Sequence, residues 1–141
     1  MTSMEFDEVK SWLEAGDVPR ARAWLIDFVD QGHETEGAWL LLAAIGMRAN
    51  DAELSLRAFR ALEKTRPHDA YVASGLVDAL MSIERYQEAR EVILSFRKVA
   101  KRGAPFHDAV LEEHEDALSL IEERMRAEQP SLGDGRTGSG D

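Results

Sequence analysis

The chain has no cysteine. That removes disulfides, thiolate metal sites, iron–sulfur clusters and cysteine nucleophiles together. Proline is scarce, at four residues in 141, and the ten glycines gather mostly at joints and near the C-terminus. A folded body with short punctuation is expected. Positive charge is also short: 17 Lys and Arg against 27 Asp and Glu leave a formal charge of −10 and a pI near 4.9. Nucleic-acid affinity comes largely from basic side chains releasing counterions from phosphates, and an anionic membrane surface repels the same net charge. Neither nucleic acid nor membrane is therefore an expected partner. No apolar stretch approaches the length of a bilayer span. The first ten residues carry Glu5, Asp7 and Glu8, with neither a basic start nor a following apolar run. They do not read as a secretory signal, and a cytoplasmic address is the expectation.

Catalytic motifs are missing as well. The sequence holds no nucleophile elbow, P-loop, dinucleotide fingerprint or HExxH. An enzyme is not expected, nor is a cofactor.

What is present is self-similarity. With 44% apolar residues the chain fits one domain with a genuine core. Shifting it against itself by 34 residues aligns Val9, Ala43 and Val77, then Trp12, Gly46 and Leu80. The same shift aligns Ala21, Ser55 and Ala89, then Leu25, Phe59 and Ile93, then Phe28, Leu62 and Phe96. A small residue, a large one four later and another three later mark one face of a helix. Between these halves Gly16-Asp17, Asn50-Asp51 and Glu84-Arg85 fall in register. The first two pairs are good turn and N-cap chemistry. Each unit therefore reads as helix, tight turn, helix.

The middle unit runs Trp39-x-x-Leu42-Ala43-x-x-Gly46, then Phe59, then Pro67. This resembles the tetratricopeptide repeat pattern W-x-x-L-G-x-x-Y…A-x-x-x-F…P, with Ala43, Gly46 and Ser55 as small-residue departures. The third unit resembles it through Leu76, Tyr86 and Ala89, and the first through Gly16, Ala21 and Leu25. The resemblance covers residues 2–102 and implies an all-α, right-handed superhelix of three antiparallel helix pairs, at about 2–35, 36–69 and 70–103.

After Gly103-Ala104-Pro105 a further helix is expected from 104 to about 127, since proline suits a first turn. Phe106, Val110, Ala117, Leu118, Ile121 and Met125 form its apolar face, against a side rich in Glu112, Glu113, Glu115, Asp116, Glu122 and Glu123. It reads as a capping helix over the last repeat. Residues 129–141, glycine-rich and nearly devoid of apolar side chains, read as a disordered tail.

Few residues invite a chemical reading. His107, Glu112 and His114 could suggest a metal site, but two turns of helix, about 10 Å of rise, separate the two imidazoles. The expected arrangement puts His114 on the packed stripe with Val110, Leu118 and Ile121, and His107 in an exposed first turn. His33 and His68 fall in connections. Arg97, Lys98, Lys101 and Arg102 complement a helix C-terminus, or else tether the acidic helix that follows or meet an acidic partner. Trp12 and Trp39 take core-facing places, and Trp24 lies toward the side of its helix.

The family resemblance also locates a binding wall, because solenoids bind on the concave surface lined by the first helix of each pair. Transferred place by place, it holds Phe6, Lys10 and Leu13, then Leu40, Ala44, Met47 and Arg48, then Tyr71, Ser74, Asp78 and Met81. The list is mostly apolar, which suits an apolar peptide or amphipathic helix of a partner protein. The carboxylate clamp that some family members use for chaperone tails is not matched: Phe6, Lys10, Leu41, Tyr71 and Gly75 occupy its places, and only Lys10 is charged. An apolar groove is more similar to small bacterial chaperones that hold secretion-system subunits. The alternative expectation is self-assembly, a homo-dimer joined through the long C-terminal helix.

Overall fold

The computed structural model describes residues 3–128, with side chains from residue 6 onward, so the expected tail at 129–141 lies outside the described residues. Among the described residues the fold is all-α, with no strand. The helices are α1 (Ser3–Glu14), α2 (Val18–Asp30), α3 (Glu36–Arg48), α4 (Ala52–Thr65), α5 (Ala70–Ser82), α6 (Tyr86–Val99) and α7 (Pro105–Ala127).

Their ends follow from local chemistry. Thr35 caps α3 by accepting from the Ala38 amide at 3.2 Å. Asp51 and Asp69 cap α4 and α5, accepting from Leu54 and Val72 at 3.1 Å. Asp17 does the same for α2 over a longer 3.4 Å. Each satisfies an otherwise orphaned amide, worth about 1 kcal/mol.

The 34-residue period of the sequence recurs in the backbone. Gly16, Asn50 and Glu84 all take the left-handed conformation, with φ of 85°, 55° and 60°. The next amides, of Asp17, Asp51 and Arg85, each donate back five residues, to the carbonyls of Trp12, Gly46 and Leu80 at 2.8, 2.8 and 2.9 Å. The same helix-ending turn thus closes α1, α3 and α5. It leads into α2, α4 and α6 through connections of the same length, three residues each. The third copy is the costly one: glutamate stands where glycine and asparagine stand before, and Arg85 makes no side-chain cap to α6.

The core repeats in step. Ala21, Ser55 and Ala89 are buried, as are Leu25, Phe59 and Ile93, then Phe28, Leu62 and Phe96. Val9, Ala43 and Val77 are buried too. Trp12 meets the expected core place only in part: it is half-buried, and the Arg20 guanidinium lies 4.3 Å from its ring centre.

The chain divides into two compact units, Met1–Pro67 and His68–Asp141. In the first, α1 packs on α2, α2 on α3, and α3 closely along α4. Ion pairs brace it, among them Arg22 with Asp51, Arg57 with Asp30, and a two-bond pair from Arg66 to Glu36 at 2.7 and 3.2 Å. The hydrogen bonds from Arg66 hold the Glu36 carboxyl below the usual carboxylate range. Pairs as open to water as Arg57–Asp30 and Arg66–Glu36 are screened by solvent and add little to stability. Trp24 stacks on Phe28 at 5.0 Å, and Phe28 on His33 at 4.8 Å, so this histidine of a connection has an aromatic neighbour.

In the second unit α6 packs on α5, and α7 lies against both. The seam of α7 is Val110, His114 and Ile121, all buried, with Ala117, Leu118 and Met125 half-buried. Phe106 does not belong to it. It is 54% exposed, and of the two positions one turn before Val110, 106 and 107, the second is the half-buried one. His107 therefore takes the inward place at the first turn. Its ring lies 5.4 Å from that of Phe96, and its Nδ1 accepts from the Lys101 amide at 3.1 Å. The expectation of an exposed His107 is corrected by the same one-position shift.

Candidate interaction surface

The first helices of the pairs each bury one face and present another. In α3, Ala38, Trp39, Leu42, Ala43, Ile45 and Gly46 are buried. Leu40, Ala44, Met47 and Arg48, spaced by steps of four, three and one, lie on the other side and none is buried. Met47 is 45% exposed, unusual for a side chain of its size and apolarity.

On α1 of the same unit, Phe6, Lys10 and Leu13 are likewise unburied. Phe6 is engaged internally, however. A Cβ on Gly37 would lie 2.8 Å from the Phe6 Cζ, so the tip of the aromatic ring rests close against the α3 backbone at this glycine. Lys10 Nζ stands 5.7 Å from the centre of the same ring. These two expected contact residues are therefore brought together with each other, and Phe6 also anchors α1 to α3.

In the second unit Tyr71, Ser74 and Met81 are half-buried and Asp78 is exposed, while Val72, Ala73, Leu76, Val77 and Leu80 fill the opposite side of α5. Here α7 adds a residue that sequence reasoning placed on a plain solvent side. The Ser74 hydroxyl donates to Glu113 Oε1 at 3.4 Å. Although Asp78 as a residue is exposed, partial desolvation of its carboxyl, and secondarily the Glu113 charge, raise it above its usual range. Two carboxylates from two helices thus meet on one face. A single sequence offers no signal for this meeting, since Glu113 is one acid among many on its side of α7.

Glu113 also lies between two exposed apolar side chains, Phe106 and Leu120, seven residues to either side on one lane of the helix. They are 54% and 41% exposed. The exposed side of α7 is thus acidic, with Phe106 and Leu120 as apolar side chains among the carboxylates.

The basic run does not act as a group. Arg97 reaches Glu115 at 3.4 Å and so ties α6 to the acidic helix, while Lys98, Lys101 and Arg102 are exposed. Among the described residues no three His, Asp or Glu side chains are placed to hold a metal ion, so His107, Glu112 and His114 do not converge with a third ligand. No helix among them is long and apolar enough to cross a membrane.

Comparison with protein-family models, curated proteins and solved structures finds no match to this chain.

Proposed function

We propose that the chain is a protein-binding module of the tetratricopeptide kind, an adaptor or chaperone and not an enzyme. In this reading three helix pairs wind into a right-handed superhelix, α7 caps the last pair, and the first helices hold a peptide or amphipathic helix of another cytoplasmic protein. The periodic turns at Gly16, Asn50 and Glu84 and the periodic core support the repeat. One observation carries the function: α3 and α5 spend apolar side chains on their outward faces, Met47 most openly, with Leu40, Tyr71 and Met81 beside their own buried stripes.

The Asp78–Glu113 meeting adds a preference. An incoming lysine or arginine would offset the repulsion between these carboxylates, so the favoured segment is apolar with one positive side chain.

Affinity capture with wild type, Met47→Glu and Tyr71→Glu tests the reading. The expected outcome is a specific protein retained by wild type and lost from both variants, whose circular dichroism stays helical. Equal retention by all three would end it.

A second reading draws on Phe106 and Leu120, two exposed apolar side chains of the longest described helix, seven residues to either side of Glu113. Self-assembly through α7 would cover them. Light scattering at high concentration separates the two, because a strict monomer removes self-assembly and leaves the partner-binding reading intact.

A further inference from the structure

His114 is 3% exposed, and neither ring nitrogen has a hydrogen-bond partner. That is an unusual place for an imidazole. A buried polar group without a partner costs free energy even when neutral, and far more when charged. Position 114 lies midway along the seam of α7, between Val110 and Ile121, where leucine would pack without that cost.

Its surroundings accept a neutral ring and resist a charged one. On α6, Phe96 meets it edge-on at 5.8 Å, and the Arg97 guanidinium opposes a second positive charge. On its own helix Glu113 favours the protonated form, but that carboxylate accepts from Ser74 of α5 and stands near Asp78. Glu115 is committed to Arg97. His107 flanks the other contact of Phe96, so two imidazoles share one aromatic ring.

We infer that His114 is an acid-sensitive latch: its protonation undocks α7 from α5 and α6, exposing the face of α5 that Glu113 otherwise touches. Burial, working against the Glu113 charge and with that of Arg97, holds the imidazole below its ordinary value of 6.5. The sign follows. The undocked ring binds a proton more readily than the docked one, so docking is at full strength above about pH 6.5 and weakens as pH falls toward the depressed value. Asp78, whose carboxyl is raised, contributes with the opposite sign and so does not loosen α7 on acidification.

Hydrogen exchange on the full chain at about pH 7.5 and about pH 5 measures the latch, with rates corrected for the intrinsic effect of pH. In wild type the opening of α7 should rise about three- to tenfold at the lower pH, while α3 and α4 stay as protected as before. In His114→Leu the protection of α7 should not change between the two. Proton NMR of the wild-type ring gives a reading that needs no variant: His114 should remain neutral below the pH at which a free imidazole is half-protonated. Equal protection of α7 at both values, persistence of the pH effect in His114→Leu, or a ring that titrates at or above the ordinary value would each overturn the inference.

Discussion

Gly46 of α3 stands so close to Ser55 of α4 that a Cβ on the glycine would lie 2.6 Å from the serine hydroxyl oxygen and 2.8 Å from the serine backbone nitrogen. The hydroxyl could rotate away, but the nitrogen is held by its bond to the Asp51 carbonyl at 3.0 Å. Gly46→Ala should therefore force α3 and α4 apart and destabilise the fold by about 1–3 kcal/mol, although alanine is the better helix former. Urea unfolding followed by circular dichroism checks this. Adding Ser55→Ala should restore little, because the backbone obstacle remains.

Asp51 holds two jobs, since it caps α4 through Leu54 and pairs with Arg22 of α2. Asp17 caps α2 by a longer bond at an exposed site. Asp51→Ala should cost about 1–2 kcal/mol and Asp17→Ala clearly less. Chemical denaturation of the two variants side by side would expose a wrong ranking.

These two sites mark what a sequence reading reaches and where it stops. The small residue at 55, in step with Ala21 and Ala89, and the caps at 17 and 51 announce themselves by repeating at one interval, whereas Gly46 is in register with Trp12 and Leu80; the helix ends fall where the turns indicate. The helical class, the pairing of turns and the buried stripe were legible because each rests on side-chain spacing within about ten residues. Phe106 and His107 were misread because a three-four pattern can be started one position off when one candidate is a large apolar ring and the other a histidine. The Asp78–Glu113 meeting and the orphaned nitrogens of His114 were not legible at all. Both arise where α7 lies against α5 and α6, and no periodicity within α7 specifies which acid faces which neighbour.

Glu84 pays the conformational cost of its turn without the residue that suits it, at φ 60°. Its counterparts at 16 and 50 are glycine and asparagine, both of which enter the left-handed region more readily. Glu84→Gly should stabilise the chain by about 0.5–1 kcal/mol, the relief of strain being partly offset by the greater freedom of glycine in the unfolded state. A rise in the thermal midpoint is expected, and an unchanged or lower one would show that Glu84 makes compensating contacts.

Asp78 carries a penalty that a neutral side chain would lift. Its carboxyl is raised by burial and by Glu113, so the folded chain holds this proton to a higher pH than the unfolded chain does. Between the ordinary value of 3.8 and the raised one, stability falls as pH rises, and above the raised value the full penalty is present. Asp78→Asn should therefore be more stable than wild type at neutral pH, with the advantage shrinking as pH falls below the raised value and gone below the ordinary one. Glu113→Gln should give a smaller gain of the same sign, and the double variant less than the sum, since each removes the same repulsion. Stability kept below its maximum at a surface position is what a binding residue shows, so a gain at neutral pH coupled to loss of the captured partner would join the two readings of Asp78. A variant less stable than wild type at neutral pH would instead mean that the carboxylate has a favourable partner in the fold.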